Sequence, residues 1–262
     1  MNIGVSTACL YPELLENSLQ YLGEKGVKYT EIFLNTFSEM SPDFIGKLRG
    51  IRDAYGMKIT AFHPFMSGYE PYLLFQNYTR RVEDGFGLYK RFFNIAASLG
   101  AEHFVLHGDK IGGVLSDSEY FERFARLAEA ASFEGVVLTQ ENVNAYRSAD
   151  PDFIRKMVDA LGNRAIFTFD VKQTVRAGYN PWEVYDAMRG HIAHIHLSDN
   201  VEGNDCVMPG KGSFPFQKLF RIALADGFDG TALIEVYNNA YRDPDDLIKA
   251  LDLLKQQYNE VL

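Results

Sequence analysis

The chain has 262 residues, 47% of them hydrophobic and 23% charged, with 26 basic against 35 acidic side chains and a formal charge of −9. That length buries enough apolar surface to fold without a disulfide or a structural metal, and an aromatic content of 14% excludes low-complexity disorder. No run approaches the roughly 18 apolar residues of a membrane span, and the acidic balance offers no footprint for nucleic acid or anionic lipid.

The amino terminus, MNIGVSTACLYPELLE, lacks a basic region followed by an apolar stretch, so it reads as a first strand rather than a signal peptide. In chain order, short β-branched or aromatic runs predict strands at Ile3–Ser6, Tyr29–Leu34, Lys58–His63, His103–His107, Val136–Glu141, Ala165–Asp170, Ile192–Leu197 and Thr231–Val236. Helical spacing fills the intervals, most plainly at Val82, Phe86, Tyr89, Phe93 and Ala96. Gly26, Gly56, Gly100, Gly135, Gly162, Gly190 and Gly230 each precede a strand, where a left-handed residue would end the helix before it. Ser41-Pro42, Asp150-Pro151, Asn180-Pro181 and Asp243-Pro244 place a capping side chain before a proline at the first helical position. No linker divides the chain, so residues 1–262 are expected to form one domain. Cys9 and Cys206 lie far apart, which fits free thiols in a reducing, cytoplasmic setting.

Eight strand–helix units in about 250 residues match a closed (β/α)₈ TIM barrel. An open dinucleotide-binding sheet would place a glycine-rich turn after the first strand, where Thr7-Ala8-Cys9-Leu10 stands instead.

In such a barrel the chemistry sits at the carboxyl ends of the strands. Side chains two apart share a face, and at four strands the polar residue lies opposite the larger apolar set: His107 with Val105, Asp170 with Thr168, His196 with His194, and Glu235 with Leu233. The polar ends, Glu141 among them, are therefore expected to converge on the barrel mouth. Three carboxylates and an imidazole gathered there would repel one another without a counter-charge. A divalent metal held by Glu141, Asp170, His196 and Glu235 supplies it. Mostly oxygen donors favour Mn²⁺, with Mg²⁺, Co²⁺ or Zn²⁺ as alternatives.

The segments HPF (63–65), TQEN (139–142), FDVKQ (169–173), HIHLSD (194–199), MPGKGSF (208–214) and IEVY (234–237), taken in order, resemble the xylose-isomerase-like barrel superfamily of sugar isomerases and epimerases. The resemblance spans the chain and implies one divalent ion on Glu141, Asp170, His196 and Glu235. It also implies that the two glutamates move the substrate's proton, and that a small sugar or sugar phosphate is the partner. Related barrels often form homo-oligomers. A metal chelating a carbonyl and its neighbouring hydroxyl acidifies the C–H between them. Two bases on opposite faces would give epimerisation, and one base on a single face would give aldose–ketose isomerisation.

The chain departs from the superfamily at two places. Gln173 stands where a histidine is common three residues after the strand-six aspartate, and Glu202 stands where some epimerases carry an arginine. Type IV abasic-site DNA endonucleases share the superfamily, yet Gly203–Gly212 lacks their Asp-Arg-His triplet and the net charge disfavours a phosphate backbone. The first alternative is a sugar- or polyol-binding barrel without turnover, and the endonuclease is the third reading.

His63, His107 and Gln173 are further candidates for substrate contact, as are Lys172 and Lys211. The turn Met208–Gly212 reads as a loop bent over the mouth, and Phe65, Tyr69 and Tyr237 as pocket walls. His194 reads as a hydrogen-bonded core histidine, and His103 and His191, at strand starts, receive no function.

Overall fold

The computed structural model describes residues Met1–Leu262. Eight parallel strands close a barrel: β1 (Asn2–Ser6), β2 (Tyr29–Phe33), β3 (Lys58–His63), β4 (His103–Leu106), β5 (Val137–Glu141), β6 (Phe167–Asp170), β7 (Ile192–Leu197) and, after a small hairpin of β8 (Asp199–Val201) and β9 (Asn204–Val207), β10 (Thr231–Ile234). The order around the ring is β1-β10-β7-β6-β5-β4-β3-β2. The expected (β/α)₈ TIM barrel is therefore the fold. Several strands are a residue or two shorter than expected, so His107 and Glu235 lie just beyond the ends of β4 and β10.

Ten helices accompany the strands: α1 (Leu15–Glu24), α2 (Pro42–Ala54), α3 (Glu70–Leu73), α4 (Thr79–Leu99), α5 (Asp117–Phe133), α6 (Pro151–Leu161), α7 (Val171–Arg176), α8 (Pro181–Ala187), α9 (Phe216–Ala225) and α10 (Asp245–Asn259). Along α4 the expected stripe, Val82, Phe86, Tyr89, Phe93 and Ala96, is buried and joins the continuous apolar core. Ser41, Asp150 and Asn180 cap α2, α6 and α8 through their side chains, with proline at the first helical position of each. At α10 the frame shifts by one, and Asp243 accepts from the Asp245 amide.

Six of the seven expected stop glycines have positive φ, and Gly230 does not: Gly227, with φ of 77°, ends α9 in its place. At Gly230 the constraint is space, because a Cβ would come within 2.3 Å of the Ala193 carbonyl oxygen.

The hairpin β8–β9 was not expected, and it corrects the reading of the turn that follows. Asp199 accepts backbone N–H bonds from Gly210 (3.0 Å), Gly212 (3.0 Å) and Phe214 (2.8 Å), which wraps residues 208–214 around its carboxylate. Arg176 on α7 clamps the hairpin through a two-pronged pair with Asp205, at 2.7 and 2.8 Å. The turn is thus drawn onto the hairpin rather than over the mouth.

Candidate active site

A cavity of about 480 Å³ opens at the carboxyl ends of the strands. Period-two alternation puts one residue set of each strand inside the barrel, and parallel register aligns them in layers. Asp170 on β6 pairs in register with His196 on β7, and Ser6 on β1 with Glu31 on β2. One donor atom each from Glu141, Asp170, His196 and Glu235 lies within 4.8 Å of the others. His196 Nδ1 is 3.2 Å from Glu141 Oε1, 3.3 Å from Glu235 Oε2 and 3.5 Å from Asp170 Oδ2. Glu141 and Glu235 line the cavity, whereas Asp170 and His196 are buried outside its lining.

The other face of His196 meets a residue that strand-end reasoning passed over. Glu31 is fully buried, and its Oε2 accepts from His196 Nε2 at 3.2 Å while Ser6 Oγ donates to its Oε1 at 2.9 Å. A carboxylate on Nε2 favours a proton there, so that Nδ1 is the nitrogen able to give up its proton and offer a lone pair when a cation enters the cluster. The available signal was parity: Glu31 alternates with Thr30 and Ile32 inside β2, an odd place for an acid without a partner. His194, expected to be hydrogen-bonded, makes no hydrogen bond through either nitrogen, although its Nε2 lies 3.5 Å from Glu31 Oε2.

His63 and His107 form a second group around Glu141. Their Nε2 atoms are 2.9 Å apart, and His107 Nε2 lies 2.7 Å from Glu141 Oε2. Gln140 steadies this side by donating to the backbone carbonyls of Leu106, His107 and Glu141. Lys172, in the first turn of α7, is buried and folds back to Glu235 Oε2 at 2.5 Å and Asp170 Oδ2 at 3.3 Å. Gln173 lines the cavity and accepts from the Asn144 amide. Lys211 is exposed and absent from the cavity wall, because the Asp199-centred turn carries it away. Phe65 and Tyr237 are walls, while Tyr69 is exposed outside the lining.

The electrostatics follow from this crowding. Burial opposes charge on His196, but Glu235 and Glu31 outweigh it and lift its pKa well above the ordinary imidazole value. Burial likewise opposes charge on Lys172, and Asp170 and Glu235 overcome it. Burial would raise Glu141, yet His107 beside it holds that carboxyl well below the usual range. Asp170 is raised by burial, with Lys172 offsetting part of the rise. Asp170 Oδ2 and Glu141 Oε2 are buried and make no well-aligned hydrogen bond, being faced instead by the Lys172 ammonium at 3.3 Å and by His107 Nε2 at 2.7 Å. Buried carboxylate oxygens converging with one imidazole nitrogen fit a hard divalent cation, so these buried groups could hold a metal ion.

A family model described as xylose isomerase-like TIM barrel matches residues 19–257. The chain belongs to this family. An uncharacterised protein of Methanocaldococcus jannaschii is 25% identical over 100% of this chain and 90% of its own length. Among solved structures, a D-tagatose 3-epimerase-like protein superposes with a TM-score of 0.82 at 23% identity, covering 100% of this chain and 98% of that one. A D-psicose 3-epimerase from Clostridium cellulolyticum H10, solved with D-tagatose, gives 0.77 at 13% identity over 100% and 99%. At these identities the likeness to solved structures establishes the fold that the family members share.

Proposed function

We propose that the protein is a metal-dependent sugar epimerase or isomerase that moves a proton on a carbon next to a carbonyl. The observation that carries this reading is the four-donor cluster at the cavity, with two of its carboxylates, Glu141 and Glu235, exposed to whatever the cavity holds. Glu141, Asp170, His196 and Glu235 would hold the ion. When bound, the ion supplies Lewis-acid polarisation of a carbonyl and its adjacent hydroxyl.

The remaining steps belong to the side chains. Glu141 and Glu235 come from β5 and from the end of β10, three places apart around the ring. Each presents a carboxylate to the cavity, so one takes the proton and the other returns it. Delivery to the opposite face inverts the carbon, which favours epimerisation over single-face isomerisation. His107, His63 and Gln173 line the same cavity and would orient hydroxyls. The solved D-tagatose 3-epimerase-like and D-psicose 3-epimerase folds support a sugar as the partner.

Solvent deuterium exchange into a panel of ketoses, aldoses and their phosphates tests this reading. The expected result is label incorporation that needs a divalent ion and falls at least about 10³-fold in Glu141→Gln and Glu235→Gln. Tight sugar binding without exchange would make the protein a binding barrel. Cleavage of an abasic duplex by the metal-loaded protein would point to phosphodiester chemistry instead.

A further inference from the structure

The carboxylate cluster already contains a cation of its own. Lys172 Nζ contacts Glu235 Oε2 at 2.5 Å and Asp170 Oδ2 at 3.3 Å. These are the same two oxygens that face His196 Nδ1, at 3.3 and 3.5 Å. The lysine is 4% exposed and lines the cavity, and the Tyr237 ring lies 5.3 Å from its ammonium. A buried ammonium is kept where carboxylates compensate its desolvation, and here the compensating carboxylates are two of the four proposed metal donors.

We infer that Lys172 is a resident counter-cation that shares Glu235 and Asp170 with the divalent ion and sets how tightly that ion is held. The inference rests on the metal-dependent reading above and adds a determinant of metal affinity to it. Two consequences follow from charge alone. A monovalent cation a few ångströms from a divalent one in a poorly screened interior weakens its binding. Without the ion, the same lysine offsets part of the repulsion among Glu141, Asp170 and Glu235, so the metal-free barrel keeps its mouth intact. Once the ion draws on Glu235, the ammonium is left beside the cavity with donor capacity for a substrate oxygen.

The test is calorimetric titration of Mn²⁺ into chelator-stripped full-length protein, paired with thermal unfolding. Lys172→Met is expected to bind Mn²⁺ at least about tenfold more tightly than the parent. It should also melt lower than the parent without metal and gain more on Mn²⁺ addition. Lys172→Arg, which keeps the charge, should stay within about threefold of the parent. Lys172→Gln, neutral but able to donate to Glu235, provides the same comparison if the methionine variant does not fold. Unchanged or weaker Mn²⁺ binding in the neutral variants overturns the inference and leaves the metal-dependent reading standing. Arginine behaving like methionine also overturns it, because charge would then not be the cause. Failure of the parent itself to take up Mn²⁺, Mg²⁺, Co²⁺ or Zn²⁺ overturns both.

Discussion

At the scale of single residues, two acid–base partners outside the proposed donor set have measurable consequences. Glu31 faces His196 Nε2 and favours a proton there, and removing its charge weakens that preference and lets the neutral imidazole take the other tautomer. Glu31→Gln is expected to weaken divalent binding by about 10- to 100-fold, read by metal titration without any turnover assay. At the opposite end of the barrel, His103 is half-buried with its Nδ1 enclosed and unpartnered, and that desolvation, reinforced by His194, lowers its pKa from 6.5 to about 4. The folded state thus resists a proton that the unfolded chain accepts. Its contribution to stability is complete above pH 6.5 and is lost as the pH falls towards 4. Across that window His103→Gln is expected to unfold with a flatter acid dependence than the parent, seen as converging urea midpoints at low pH.

At the scale of elements, the hairpin β8–β9 and the turn after it form one unit organised by Asp199. Three backbone amides beyond the hairpin donate to this one buried carboxylate. Two of the positions are glycines held by it: a Cβ on Gly212 would meet Asp199 Oδ1 at 2.4 Å, and Gly210 has φ of 86°. Hydrogen bonds to a charged acceptor are the stronger kind, so Asp199→Ala is expected to cost on the order of 3 kcal/mol in urea unfolding. It should also open the turn to proteolysis after Lys211. Exchange activity should fall less than in Glu141→Gln, since the turn lies outside the cavity wall. The same unit explains Glu202, which sits with Gly203 at the hairpin tip rather than at the cavity.

At the scale of the molecule, closure of the ring is what creates the site. β1 is held between β10 and β2, and at Gly4 there is no room for a side chain: a Cβ there would lie 1.9 Å from the Tyr29 carbonyl oxygen and 2.7 Å from Leu233 Cδ2. Gly4→Ala is expected to destabilise by roughly 4 kcal/mol or more, with loss of a single cooperative unfolding transition as the readout. The overall charge of −9 includes buried acids, Glu31, Glu141, Asp170 and Glu235, facing Lys172 and the histidines. No helix is long and apolar enough to cross a membrane.

What the chain determined by itself was everything carried by short-range signals. Strand–helix alternation, proline caps and most stop glycines depend on neighbours within a few residues, so they are legible one segment at a time. Strand ends and strand parity are equally local, which is why Asp170, His196 and Glu235, with Glu141 from its strand-end position, could be named before their meeting point was seen. Only the tertiary structure decided what those four touch. Glu31 and His196 are 165 positions apart, and no local pattern predicts that β2 faces β7 across the interior. For the same reason Lys172 is legible in the sequence only as a candidate for substrate contact: its side chain enters the cavity or leaves it according to how α7 packs, and the nearness of Glu235 emerges only when the ring closes. Lys211 shows the converse, a residue in a suggestive motif that the Asp199 hydrogen bonds draw away from the cavity. Periodicity along a chain tells which side of an element is inside, whereas contact within the interior depends on the order and register in which the strands meet.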